Sequence, residues 1–309
     1  MESIAAGSEP SIDVEEAVRA RYSAAARAHE PALCCPVDYR PESLAHVPRE
    51  ILERDYGCGD PSRFVAEGET VLDLGSGGGK ICYIAAKVVG PRGRVIGIDA
   101  NDEMLALARR HQDEVGRRLG YRNVEFRKGK IQDLQLDLDL FDAHLAECPV
   151  RSSADWLRAE SHAEMLRREA PLVADGSIDV IVSNCVLNLV RQSDRRRLFA
   201  EMHRVLKTGG RAVVSDIVSD QDVPDALRND PHLWSGCISG AFRQDRLLAA
   251  FEEAGFHGTE IVARQAKPWA VVEGTEFRSL TLRADKGQAG PRRDAELPIA
   301  DCCGATDCC

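Results

Sequence analysis

The chain has 309 residues, 40 of them basic and 50 acidic, for a formal charge of −10. That length accommodates one large domain or two small ones, and an apolar fraction of 44% is enough for a sizeable core. The acidic balance argues against nucleic acid and anionic membrane surfaces as partners, since both are bound by clustered Lys and Arg.

The start, Met1-Glu2-Ser3-Ile4-Ala5, has no basic region followed by an apolar stretch, so no secretory signal is expected. No run approaches the roughly 18 apolar residues of a membrane helix. The expected location is therefore the cytoplasm. Eleven cysteines have little use there as structural disulfides and point to metal or catalytic chemistry instead; an odd number also excludes complete pairing within the chain.

In chain order, an Ala-, Glu- and Arg-rich stretch at 14–28 predicts a leading helix or cap. Residues 33–60 carry Cys34, Cys35 and Cys58 among prolines and glycines and read as irregular chain, at the surface or lining a site. Strand and helix patterns then alternate. Strands are expected at 70–74, 94–98, 124–128, 178–184 and 211–218, and helices at 80–89, 102–116, 193–206 and 243–254. Ser193 is the expected cap of the third of these helices, and Gly209-Gly210 its end. Two further strand-like stretches follow at 259–264 and 276–282. Such alternation predicts an α/β fold, a doubly wound, mostly parallel, seven-stranded sheet with helices on both faces. Residues 135–175 do not fit the alternation and read as a helical insertion, with a helix at 155–169 after the cap-like Ser152-Ser153. The expected organisation is a cap and cysteine-bearing segment at 1–66, the α/β domain at 67–285 and a flexible cysteine-rich tail at 286–309.

The run Val71-Leu72-Asp73-Leu74-Gly75-Ser76-Gly77-Gly78-Gly79 places glycines directly between a strand and a helix, where the backbone must turn tightly and let a ligand approach. A dinucleotide fingerprint would need glycine or alanine at position 80, which is Lys80. Asp99 closes the next strand, where a carboxylate can accept hydrogen bonds from both hydroxyls of a ribose. Together with Asp73, these features resemble the class I S-adenosylmethionine-dependent methyltransferases. The resemblance implies S-adenosylmethionine as cofactor. It assigns Gly75, Gly77 and Gly79 to the methionine part, Asp99 to the ribose, Met104, Lys130 and Ile131 to the adenine region and Asn184 to the neighbourhood of the methyl group, and it adds Asp73, Ser76 and Ala100 to the cofactor-binding residues.

The methyl acceptor is argued from the cysteines. In an open parallel sheet, ligands bind at the carboxyl ends of the strands. Cys185 leaves the fourth strand there, Cys237 lies in the loop after the fifth, and Cys58 leads into the first. Three thiols from separated segments suit a soft, thiol-seeking centre such as trivalent arsenic, whose binding displaces the thiol protons. The stretches Tyr56-Gly57-Cys58-Gly59, Ser183-Asn184-Cys185-Val186-Leu187-Asn188-Leu189 and Ser235-Gly236-Cys237-Ile238-Ser239-Gly240 narrow the resemblance to the arsenite S-adenosylmethionine methyltransferases. It implies methyl transfer to arsenite or other trivalent arsenicals held by Cys58, Cys185 and Cys237. A further N-terminal cysteine, Cys35 or its neighbour Cys34, would act in disulfide exchange. Because methylation oxidises arsenic, a thiol reductant such as glutathione or thioredoxin is the expected co-substrate.

The sequence departs from the family in its long 135–175 insertion and in Lys80-Ile81 before Cys82, where arginine and aspartate are usual. Cys82 itself reads as a packed core residue. The four cysteines among the last nine residues suit thiol chemistry better than lipidation. Two rival readings keep the fold: a small organic acceptor with the cysteines merely packed, and a metalloid-sequestering protein dominated by the tail.

Overall fold

A computed structural model describes residues 12–30, 33, 37, 39–54 and 56–287. The N-terminal segment supplies α1 (Val14–Ala25), α2 (Pro41–Leu44) and α3 (Arg49–Glu53), then a single 3-10 turn at Pro61–Phe64. The alternating part follows as β1 (Thr70–Leu74), α4 (Lys80–Val89), β2 (Arg94–Asp99), α5 (Asp102–Leu119) and β3 (Val124–Lys128). The insertion forms an antiparallel pair, α6 (Leu138–Glu147) and α7 (Ser153–Glu169). Then come β4 (Ile178–Asn184), a 3-10 turn at Leu187–Leu189, α8 (Gln192–Val205) and β5 (Leu206–Ser219). The chain continues through α9 (Asp225–Arg228), α10 (Pro231–Ser235), β6 (Phe242–Arg243) and α11 (Gln244–Glu253), and ends in β7 (His257–Arg264), β8 (Ala270–Val272) and β9 (Thr275–Asp285).

These strands form one nine-stranded sheet rather than the expected seven. Seven lie on a continuous path, β3-β2-β1-β4-β5-β9-β7, while β6 adds a two-residue parallel pairing to β5 and β8 a short antiparallel one to β9. β1 to β5 run parallel; β9 is antiparallel to both β5 and β7. The central strands read as nearly continuous apolar runs because both faces are covered. Leu72, Leu74 and Ile181 face one core, which Leu198, Phe199 and Met202 of α8 and Leu247 and Phe251 of α11 complete. Val71, Val180 and Val182 face the other, closed by Tyr83 and Ile84 of α4 and Leu105 and Ala108 of α5. Cys82 belongs to this second core, fully buried, with its thiol donating to Asp73 Oδ2 at 3.2 Å, as its packed reading requires.

Local differences from the sequence expectation have physical causes. Ser193 does not cap α8; the cap is Arg191, which makes no side-chain cap bond, and Ser193 lies inside the first turn. Gly209-Gly210 does not end that helix either. The β4–β5 ladder jumps from Ile178↔Leu206 to Val180↔Arg211, so the glycines occupy a bulge within β5, Gly209 at φ +83°. The amino group of Lys286 terminates α8 instead, donating to the carbonyls of His203 and Leu206. Ser152 does cap α7, accepting from the Asp155 amide at 3.2 Å. Among the described residues no helix is long and apolar enough to cross a membrane.

Candidate active site

At the carboxyl ends of β1, β2 and β4 lies a cavity of about 320 Å³. Asp73, Gly75, Ser76, Gly77, Asp99, Ala100, Met104, Lys130, Ile131 and Asn184 all line it. Gly79, the remaining residue expected there, is not among the lining residues. It starts α4 in the left-handed region at φ +88°, where a Cβ would meet the Phe126 ring at 2.7 Å. Gly75 turns the chain at φ +67° against Val186, which a Cβ would strike at 2.4 Å.

Backbone donors hold the carboxylate that closes β2. The Gly77 and Asn101 amides each donate to Asp99 at 2.8 Å, one to each oxygen. Burial raises the Asp99 pKa, and these backbone bonds oppose the rise. Two oxygens, each with a lone pair left, suit the two hydroxyls of a ribose. Close by, the Ser76 hydroxyl is buried with no hydrogen-bond partner among the described residues, a group that a polar ligand would satisfy. These residues fit S-adenosylmethionine.

One wall was not anticipated. Glu15, Val18, Arg19 and Tyr22 of α1 line the cavity, so the leading helix covers it. Glu15 accepts from Lys130 Nζ at 2.7 Å across the mouth, and Arg21 donates to the His232 carbonyl at 2.7 Å, joining α1 to α10. The signal was present as the stripe Val14, Val18, Tyr22 and Ala25 at helical spacing.

Beyond Asn184 the surroundings turn apolar. Cys58 and Cys185, 127 positions apart, are joined in a disulfide, their Cα atoms 5.9 Å apart. Cys237 lies in the same buried cluster with Ile217, Val223, Leu227, Ile238 and Phe277, and its thiol donates to the Cys185 carbonyl at 3.4 Å. The expected three-sulfur group is thus only partly reproduced. Among the described residues, the ligand atoms that all lie within 4.8 Å of one another belong to Cys58, Cys185 and Asp216. Cys237 stands beside this group, and the disulfide takes up the sulfur valences of the other two.

The backbone at the cysteines is unusual. Cys185 and Cys237 adopt φ +58° and +65°; the one other non-glycine residue described with positive φ is Glu273. L-residues avoid this region, and such outliers concentrate at functional sites.

Sequence reasoning missed Asp216. It is fully buried and accepts from the Leu187 amide at 2.9 Å, Asn188 Nδ2 at 2.8 Å and the Ile217 amide at 2.8 Å. Burial pushes its pKa up to about 7 despite these donors. The available signal was an acid inside the apolar run of β5, where a carboxylate is rarely placed without partners.

Asn184 lines the cavity, and its carboxamide also ties down the chain around Cys58. Its Oδ1 accepts from the Cys58 amide at 2.9 Å and the Gly59 amide at 3.2 Å, and its Nδ2 donates to the Gly59 carbonyl at 2.8 Å. The glycines around Cys58 permit this. A Cβ at Gly57 would lie 2.3 Å from Asn184 Nδ2, and one at Gly59 2.4 Å from Ser215 Oγ. Cys148 is exposed at the end of α6, away from this cluster. Cys34, Cys35 and the four tail cysteines lie outside the described residues.

A cavity of about 320 Å³ that presents Asp73, Ser76 and Asp99 therefore adjoins a buried sulfur cluster at the exit of β4. The family profile described as "Methyltransferase domain" matches residues 66–170 and 162–255. The arsenite methyltransferase of Halobacterium salinarum is 38% identical over 225 residues, 72% of this chain and 45% of that protein. That of Aquipseudomonas alcaligenes is 35% identical over 236 residues, 75% of this chain and 58% of its own length. The chain thus spans about half the length of these curated relatives. The crystal structure of CrArsM, an arsenic(III) S-adenosylmethionine methyltransferase from Chlamydomonas reinhardtii, superposes with a TM-score of 0.64 at 30% identity, covering 82% of this chain and 75% of that one. With the sheet order, the glycine loop and the clustered cysteines, these likenesses establish that the chain belongs to the arsenite S-adenosylmethionine methyltransferase family.

Proposed function

We propose that this chain methylates trivalent arsenic, with S-adenosylmethionine in the cavity under α1 and arsenite on the thiolates of Cys58, Cys185 and Cys237. The observation that carries the reading is the meeting of Cys58, Cys185 and Cys237 in one buried apolar cluster, with Cys185 also lining the cofactor cavity. Asp99 would hold the ribose, and the Gly75–Gly77 turn with Ser76 the methionine end. Bound S-adenosylmethionine would supply an electrophilic methyl to the lone pair of thiol-bound As(III), with S-adenosylhomocysteine as the leaving group.

The chain's own residues prepare the acceptor. Each thiol displaces one hydroxide of As(OH)3 as water, so three thiols leave a pyramidal arsenic with its lone pair free and need no general base. The apolar side chains around the sulfurs exclude water and favour a neutral guest. In the oxidised form described here, Cys58 and Cys185 must first be reduced. Two thiols of an external reductant become one disulfide, and two electrons and two protons pass to Cys58 and Cys185. Glutathione or thioredoxin would fill that role, and Cys34 or Cys35 would relay the exchange.

The test is a turnover assay with arsenite, glutathione and S-adenosylmethionine, the arsenic species being separated by mass. Methylated arsenic is the expected product; consumption of S-adenosylmethionine without it would favour an organic acceptor. Cys185→Ser and Cys237→Ser are each expected to abolish that product while retaining cofactor affinity. Full activity in both variants would refute the reading.

A further inference from the structure

Asn184 lines the cofactor cavity, yet its three hydrogen bonds all go to the backbone of residues 58 and 59. In the reduced form, without the disulfide to Cys185, the turn that carries Cys58 has few other ties among the described residues. Tyr39 donates to the Gly59 carbonyl at 2.9 Å, and the Ser279 hydroxyl donates to the Cys58 carbonyl. Glycine at 57 lets the carboxamide approach this closely. Across the strand end, Asn184 is the immediate neighbour of Cys185, whose backbone is fixed by its own amide bond to the Ser215 carbonyl at 2.8 Å.

We propose that Asn184 is a positioning residue that latches the 57–59 turn against the end of β4 and so holds the Cys58 sulfur beside Cys185. The inference rests on the arsenic reading for its catalytic consequence but not for the latch itself. A carboxamide is suited to this because it accepts and donates at once. Alanine at 184 leaves two backbone amides and one carbonyl of the turn without these partners, so the turn relaxes toward solvent.

The chemistry of the acceptor gives the latch a distinct signature. Arsenite has three exchangeable hydroxyls and uses three thiols. Methylarsenous acid, CH3As(OH)2, has two, and its two thiolate bonds release two waters. Cys185 and Cys237 suffice for the second guest, whereas the first needs Cys58 in place. Loss of the latch therefore discriminates between the two arsenicals.

Asn184→Ala and, independently, Gly57→Ala are made in the full chain. Gly57 has no positive φ, so alanine fits its backbone and acts by displacing the carboxamide. Three quantities are measured: kcat/KM for each arsenical, the calorimetric affinity for S-adenosylmethionine, and the rate at which the reduced protein forms the Cys58–Cys185 disulfide, read by non-reducing peptide mass. In both variants the expected results are a fall of about tenfold or more for arsenite against less than about threefold for methylarsenous acid, matching the loss of more than one buried hydrogen bond. Cofactor affinity should be unchanged and disulfide formation slower by a similar factor. Equal losses for both guests with weakened cofactor binding would overturn the proposal and make Asn184 a cofactor ligand. Unchanged disulfide formation in a folded variant would overturn it as well. If the wild type methylates neither arsenical, the arsenic reading falls, while the disulfide rate still decides the latch.

Discussion

The cofactor cavity and the sulfur cluster share a boundary at Asn184 and Cys185 but are assembled differently. The cavity takes its polar contacts mainly from strand-end runs at 73–78 and 99–104, with α1 as a further wall, and apart from Cys185 at the shared boundary its left-handed positions are glycines. The sulfur cluster draws on positions 58, 185 and 237, is walled by apolar side chains, and puts cysteines themselves into the left-handed region. A nucleoside offers many polar atoms along its length, so backbone groups at strand ends suffice to hold it. A single soft atom accepts few ligands from converging directions, and only separated segments can supply them.

The largest test of this division is the cysteine pair. Cys185→Ser or Cys237→Ser should lower arsenite methylation by at least about a hundredfold, because hydroxyls replace soft thiolates poorly, with cofactor affinity intact. A parallel fall in cofactor affinity would mean the halves are not separable. The reciprocal change is Asp99→Ala. With Asp99 proposed to accept from both ribose hydroxyls, its loss should weaken S-adenosylmethionine binding by about ten- to a hundredfold. Arsenite uptake by the reduced thiols, followed by quenching of Trp234 or by mass, should not change.

Asp216 gives a test through pH. The folded chain keeps its carboxyl protonated up to about 7, whereas an unfolded chain ionises it near 3.8. Between those values the unfolded state binds fewer protons, so this group's contribution to stability falls as pH rises and then levels off. Asp216→Asn removes that slope. The melting temperature of the wild type relative to the variant should decline from pH 4 to pH 7, and a flat difference would show that Asp216 is ionised in the fold. The smallest effect is expected at the rim of the cavity. Lys130→Ala breaks a half-exposed pair with Glu15, so cofactor affinity should fall less than about fivefold, and less still at high salt.

How much of this was legible in the sequence depended on whether the cause was local. β1, α4, β3 and β4 lie where their residue patterns place them, because both the pattern and its cause sit in the same few residues. The glycine loop and Asp99 were readable for the same reason. β6 and β8 were not, since a two- or three-residue strand exists only through its partner, β5 or β9. Nor was α6, which buries no residue fully and only packs Leu138 and Phe141 partly against α7. The bulge at Gly209-Gly210 resembles a helix stop until the β4–β5 register is known. At the site, the cysteines stood out by residue type, while Asn184 did not reveal its role because its partners are about 125 residues away.

The positive φ of Cys185 and Cys237 has a consequence for how this chain can change. Holding a side chain in that conformation costs about 1–3 kcal/mol at each position, a penalty glycine does not incur. A laboratory lineage selected only for folding should therefore drift toward glycine at 237, where no disulfide offsets the strain, and become harder to melt as it does so. Only a lineage whose survival depends on metalloid chemistry would keep sulfur there.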